Sequence, residues 1–241
     1  MNQITTILFD FGGTLDTNGV HWSEAYWDGY LSAKVDIPKN QYEKAFVKAG
    51  EELLENLINA ENTFYDTISL QIQQQLSILN QEKLISIEDI EIFHKLILDS
   101  CYKTVLFNID NARSILQLLN KHYKLGIVSN FYGNMQTVLK EFKIDEFFSV
   151  VIDSAVLGIR KPDPEIFLAA TRSLQCDPKK TVVIGDSYDR DIMPAKSVGF
   201  KTIWLKSRSW KEETRSKDAD LIIDNLENLK PIFLKYYQYN S

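Results

Sequence analysis

The chain has 241 residues, longer than one minimal domain and shorter than two full ones at about 150 residues each. Hydrophobic residues make up 44%, aromatic 12% and charged 25%, which excludes disordered, collagen-like and coiled-coil classes and allows a sizeable core without staples. The 27 basic and 33 acidic residues leave a net charge of -6 with no dense Lys/Arg cluster, so the expected partner is a small molecule and not a nucleic acid.

In chain order, the first element is the apolar run 4–9, which ends in Asp10-Phe11-Gly12-Gly13-Thr14-Leu15-Asp16. It reads as a buried parallel strand, because a half-exposed antiparallel strand would alternate. From about Gly19 to Phe107 no convincing strand occurs. Tyr42, Ala45, Phe46, Ala49, Leu53, Leu54, Leu57 and Ile58 follow the i, i+3, i+4, i+7 rule of an amphipathic helix. Ile68, Ile72, Leu76 and Leu79 begin another, and Ile87-Glu88-Asp89-Ile90 opens a third that carries Ile92, Phe93, Leu96 and Ile97. This interval reads as a helical insert. Beyond it, helices are expected over 111–121, 135–142, 164–174 and 190–198, and strands over 124–128, 150–152, 181–184, 201–205 and 221–223. Strand-helix-strand units imply right-handed crossovers, so the expected fold is α/β, a Rossmann-like doubly wound parallel sheet. The expected division is a core of residues 1–18 and 105–241 with a helical cap of 19–104.

The N-terminus lacks the basic and cleavage regions of a signal peptide, and no stretch approaches the roughly 18 apolar residues of a membrane span. Cys101 and Cys176 are far apart with no Cys or His at ligand spacing, and they read as small hydrophobes of a cytoplasmic protein. The oligomeric state is left open.

Ligands of an open parallel sheet bind beyond the carboxyl ends of its strands. Those ends carry Asp10 with Gly12-Gly13, then Ser129-Asn130, the Lys161-Pro162-Asp163-Pro164 segment, and Gly185-Asp186 through Asp191. Asp10 and Asp186 offer the hard oxygens that Mg²⁺ prefers, and Asp191 can hold a metal-bound water. Gly12 and Gly13 permit a tight turn with N–H groups facing an anion. Ser129 and Lys161 suit phosphoryl oxygens, and Asp10 suits attack on phosphorus.

These four motifs, in this order, resemble those of the haloacid dehalogenase superfamily, a family of mostly Mg²⁺-dependent phosphatases. The resemblance implies that Asp10 is the nucleophile, that Ser129 and Lys161 complete the catalytic set, and that Gly13, Ser129, Asn130 and Lys161 bind phosphate. It also implies a metal site of Asp10, the Gly12 carbonyl, Asp186 and Asp191, and a helical cap of the family's first type that selects a small phosphorylated metabolite.

One position departs from the family. Its phosphatases carry a second aspartate two residues after the nucleophile, and here that position is Gly12. A missing general acid/base forfeits about 10²–10⁴ in rate. The protein is then slow, uses a leaving group that needs little protonation, or borrows Asp16 or His21. Metal-free 2-haloacid dehalogenases also lack that aspartate, but a cluster of Asp10, Asp186 and Asp191 without a cation is unfavourable around a carboxylate substrate. A catalytically silent phosphate-binding protein is the third alternative. Thr14 reads as a loop-ordering residue, Asp189 as solvated and Asp224 as a helix cap. His21, Trp22, Tyr26, Trp27 and Tyr30 read as packing, as do Trp204 and Trp210, and His94 and His122 as ordinary helix residues.

Overall fold

Six short runs rich in Val, Ile and Phe pair into one sheet, because such residues bury well on both faces of a pleated surface. In the computed structural model, which describes residues 4–53, 58–209 and 218–238, these are β1 (Thr6–Phe9), β2 (Lys124–Ser129), β3 (Phe148–Asp153), β4 (Thr181–Gly185), β5 (Lys201–Leu205) and β6 (Leu221–Ile223). Leu54, Leu57 and Trp210, named above, lie outside the described residues. All the pairings are parallel, in the order β3-β2-β1-β4-β5-β6. Chain order therefore reverses between β1 and β4, which is where a doubly wound sheet opens its ligand crevice.

Alternate residues feed opposite faces. Ile7 and Phe9 pack with Leu125, Ile127, Val182 and Ile184 in one cluster, while Leu8, Val128 and Val183 pack with Ile166 and Phe167 in another. The insert supplies α1 (Trp22–Ser32), α2 (Lys39–Leu53) and α3 (Phe64–Gln81), and the chain returns to the sheet along α4 (Ile90–Leu119). The crossovers beyond it use α5 (Met135–Glu141), α6 (Ser154–Leu157), α7 (Glu165–Leu174), α8 (Met193–Ser197) and the closing α9 (Leu229–Gln238). No helix among the described residues is long and apolar enough to cross a membrane.

Three expectations about helices change. The third insert helix and the helix expected at 111–121 are one 30-residue helix, α4. No Gly or Pro interrupts it, and Ile97, Cys101, Val105, Ile109, Ala112, Leu116 and Leu119 form one continuous buried stripe. The residue-104 boundary thus falls inside a helix. The helix expected from 190 starts instead with a wide π-type turn over Tyr188–Ile192, a feature frequent at functional sites. After β6 the cap is Asn225, whose side chain accepts from Glu227 N, and not Asp224.

The insert is tied to the sheet side through α3. Its N-terminus has a Thr63/Asp66 capping box, and Glu141 of α5 accepts from Phe64 N, from Tyr65 N at 3.3 Å and from the Tyr102 hydroxyl at 2.7 Å. Asn134 Nδ2 donates to Asn62 O and to Thr67 Oγ1, both at 2.9 Å. A carboxylate at a helix N-terminus meets unpaired N–H groups and a favourable dipole. Glu141→Ala is expected to lower stability by about 1.5–3 kcal/mol, read as a lower urea midpoint at constant m-value.

Candidate active site

The end of β1 sets the site because its register with β4 is fixed. Phe9 pairs with Ile184, and Asp10 N donates to Ile184 O at 2.9 Å. Asp10 is therefore beside the end of β4, with Ser129 at the end of β2 on its other side. Asp10 Oδ1 accepts from Ser129 Oγ at 3.0 Å and from Lys161 Nζ at 2.5 Å. Lys161 Nζ also donates to Asp191 Oδ1 at 2.6 Å. All three of Asp10, Lys161 and Asp191 are buried.

Each of these groups is itself held. The Asn130 amide clamps the backbone of Lys161, accepting from its N at 2.8 Å and donating to its O at 2.9 Å. The π-type turn brings Asp191 back to the strand end, where its Oδ2 accepts from Ser187 N at 3.0 Å. Thr14 Oγ1 accepts from Asp186 N at 3.1 Å and lies 3.3 Å from each of two acceptors for its own proton, Asp10 Oδ2 and Asp186 Oδ1. Thr14 is thus the loop-ordering residue expected. Trp204 Nε1 donates to Asp186 O at 2.7 Å, fixing the fourth strand end from β5.

One carboxylate oxygen each of Asp10, Asp186 and Asp191 lies within 4.8 Å of the others. One ammonium, Lys161, faces these three carboxylates. Burial would depress the Lys161 pKa, but Asp10 and Asp191 more than offset that and raise it, so the ammonium stays charged. Burial, then the Asp10 and Asp191 charges, push the Asp186 carboxyl well above the usual range. Such an excess of negative charge on hard oxygens is the donor set of a divalent cation, so the residues present fit Mg²⁺.

Gly13 has φ +92°, and a Cβ there would lie 2.5 Å from Asp186 Oδ2. Only glycine allows this approach. Its N–H donates to Asp16 Oδ1 at 2.7 Å, so Gly13 faces the crevice through its bare Cα. Asp16 Oδ2 accepts from Trp22 Nε1 at 2.8 Å. Burial pushes the Asp16 carboxyl up to about 7, but Asp16 does not line the cavity and its two oxygens are spoken for by Gly13 and Trp22. His21 does line it, with Nδ1 accepting from Ser23 N at 3.2 Å as the cap of α1.

The cavity above the strand ends measures about 430 Å³. Asp10, Gly12, Gly13, Ser129, Asn130, Lys161, Asp186 and Asp191 form its floor, so the four motifs meet at one place. The insert forms the roof, to which Trp22, Tyr26, Phe46, Phe64 and Gln71 contribute. Of the aromatic run read as packing, Trp27 and Tyr30 do pack, against Tyr42 at 5.1 and 5.0 Å between ring centroids. Trp22 and Tyr26 instead reach the cavity. Phe46 sits at a position that the helical period marks only as inward, and no local pattern separates a cavity wall from a core. The run from Gln71 to Gln75 reads in the sequence as a solvated helix face, but Gln71 and Gln75 are buried and Gln71 lines the cavity, because α3 turns that side toward α2 and the strand ends.

A family profile described as haloacid dehalogenase-like hydrolase matches residues 4–199. The chain belongs to that family. Over 131 residues this haloacid dehalogenase-like chain is 33% identical to glyceraldehyde 3-phosphate phosphatase from Pyrococcus furiosus, covering 52% of this chain and 54% of that protein. The chain spans about half the length of the glyceraldehyde 3-phosphate phosphatases it matches. It is 27% identical over 238 residues to pyrophosphatase PpaX from Bacillus mycoides, covering 95% and 97% of the two chains. The solved L-2-haloacid dehalogenase from Xanthobacter autotrophicus, with chloropropionic acid covalently bound, is similar with a TM-score of 0.60 at 16% identity over 96% and 98% of the two chains. The fold alone does not choose between attack on carbon and attack on phosphorus, and the donors at the strand ends must do so.

Proposed function

We propose that this haloacid dehalogenase-like chain is a Mg²⁺-dependent phosphatase of small phosphorylated metabolites, acting through an aspartyl phosphate on Asp10. The observation that carries this reading is the convergence of Asp10, Asp186 and Asp191 within 4.8 Å beside Ser129 and Lys161. A metal-free dehalogenase gains nothing from three clustered carboxylates, and the phosphatase names of the relatives point the same way. Asp10, the Gly12 carbonyl and Asp186 would hold Mg²⁺ directly and Asp191 through a water. Bound there, the ion would neutralise charge between nucleophile and phosphoryl oxygens.

Ser129 Oγ and Lys161 Nζ, which now converge on Asp10 Oδ1, would turn to the phosphoryl oxygens as they enter. Asp10 attacks phosphorus in line, the bond to the leaving oxygen breaks, and that oxygen departs with the electron pair. Water then attacks phosphorus, the acyl-phosphate P–O bond breaks, and Asp10 is regenerated with release of phosphate and a proton to solvent. Asn130 keeps Lys161 in place through its backbone. We assign the floor, 1–18 and 105–241, as the core and 19–104 as the cap that closes over it, with α4 crossing between them.

The test is phosphate release from acetyl phosphate and 4-nitrophenyl phosphate with Mg²⁺ and with EDTA, alongside chloride release from 2-chloropropionate. Phosphate release that EDTA abolishes is expected. Chloride release without metal makes the chain a dehalogenase, and silence on all three makes it a binding protein.

A further inference from the structure

The roof of the cavity carries a pattern that the reading above leaves unused. Trp22, Phe46 and Phe64 give it an aromatic surface, with Trp22 and Phe64 ring centroids 5.8 Å apart. Set into that surface are two polar side chains that are almost fully buried, Tyr26 at 4% and Gln71 at 6% exposure. Neither the Tyr26 hydroxyl nor the Gln71 amide makes a hydrogen bond among the described residues. The unpartnered atoms of Tyr30 and Gln75 are sealed from solvent; Tyr26 and Gln71 instead keep their contact with the cavity. The Gln71 amide lies over Gly50 of α2, its Nε2 3.9 Å from where a Cβ would stand, so the absent side chain leaves it room. A buried polar group without a partner costs about 1–3 kcal/mol, and a ligand that supplies the partner recovers it.

The charge of the roof narrows the ligand further. The insert side of the cavity's described lining holds no Lys or Arg, and Glu51 adds an acidic group there; besides Lys161, the cation of the cavity wall is Arg190, which belongs to the strand-end side. Burial, reinforced by Cys101, Tyr132, Tyr42 and Asp16, raises the Tyr26 phenol well above its ordinary range, so it is a neutral donor. An anionic leaving group such as phosphate therefore finds no counter-charge on the insert side, only Arg190 on the strand-end side. Gly12, for its part, removes the group that would protonate a poor leaving oxygen. A phenolic oxygen, with a pKa of about 10, leaves as its anion far more readily than an aliphatic alkoxide.

We propose that the roof selects substrates whose leaving group is an uncharged aromatic alcohol, its ring laid against Trp22 and Phe64 and its edge hydrogen-bonded by the Tyr26 hydroxyl and the Gln71 amide. This rests on the phosphatase reading above and assigns Tyr26 and Gln71 as specificity residues. It also sets the chain apart from a pyrophosphatase.

Kinetics with Mg²⁺ on 4-nitrophenyl phosphate, acetyl phosphate and inorganic pyrophosphate test it in the wild type and in Tyr26→Phe and Gln71→Leu. Both 4-nitrophenol and acetate leave easily, so they differ mainly in the ring. The wild type is expected to show kcat/KM at least about tenfold higher on the aryl ester than on the other two. Each substitution is expected to raise KM for the aryl ester about 3–10-fold, the worth of one hydrogen bond, with acetyl phosphate unchanged as an internal check on folding. Preference for acetyl phosphate or pyrophosphate, or equal loss on the aryl and acyl substrates in both variants, overturns the leaving-group assignment and leaves the phosphatase reading standing. No release from any of the three overturns both.

Discussion

Asp10→Asn is expected to abolish phosphate release, with kcat falling at least about 10⁴-fold, in line with the loss of a covalent nucleophile. The substitution is nearly isosteric, so the Ser129 hydroxyl 3.0 Å from Oδ1 can still find an acceptor. What disappears is the negative charge that Lys161 Nζ meets at 2.5 Å. A neutral amide is a far poorer nucleophile toward phosphorus, and no neighbour replaces it. Asp191 is fully buried and directed at Lys161, and Asp186 is held by Thr14. Asp186→Asn should behave differently, retaining a nucleophile and moving the Mg²⁺ concentration needed for half-maximal rate upward. Phosphate release for the two variants, with acid-quench trapping of phosphorylated protein, separates these roles. Full activity in Asp10→Asn means that the covalent route is wrong.

The strand ends were legible in the sequence because a buried parallel strand is a short apolar run and its first polar residue marks its end. The runs ending at Asp10, Ser129 and Gly185-Asp186 all behave this way, and the reversal of strand order between β1 and β4 then brings two of them side by side. Lys161 follows no strand directly. Its place depends on the Asn130 clamp, a contact over 31 residues that no local pattern encodes. Helix boundaries were less legible. Residues 98–111 carry mixed polarity that reads as a gap, yet the stripe through Cys101, Val105 and Ile109 continues α4 across it. The roof was least legible of all, since Trp22 and Phe46 satisfy the same helical period whether they face a core or a cavity, and the glutamine run that holds Gln71 reads as a solvated face although Gln71 is buried. Only the packing of α2 on α3 and the anchoring of α3 by Glu141 decide which.

Gly12→Asp is expected to raise kcat on a poor leaving group such as glycerol 3-phosphate by about 10²-fold, the lower end of what a positioned general acid supplies, with little change on 4-nitrophenyl phosphate. Space is available, because a Cβ at residue 12 would meet nothing nearer than Trp22 Nε1 at 3.9 Å, and the backbone there is not in the left-handed region. The environment also suits an acid. Burial pushes the Asp16 carboxyl, which accepts from the same Trp22 nitrogen, up to about 7, and the negative charge of Asp10 would push a carboxyl at position 12 in the same direction. A carboxylic acid still protonated near neutral pH is what a departing alkoxide requires. The gain should therefore be confined to substrates whose rate depends on protonation, and kcat should acquire a new alkaline limb as that group ionises. A uniform lack of effect would mean that the wild type already has its proton donor. His21, on the cavity wall, then becomes the residue to replace, and His21→Ala should lower kcat on glycerol 3-phosphate while sparing 4-nitrophenyl phosphate.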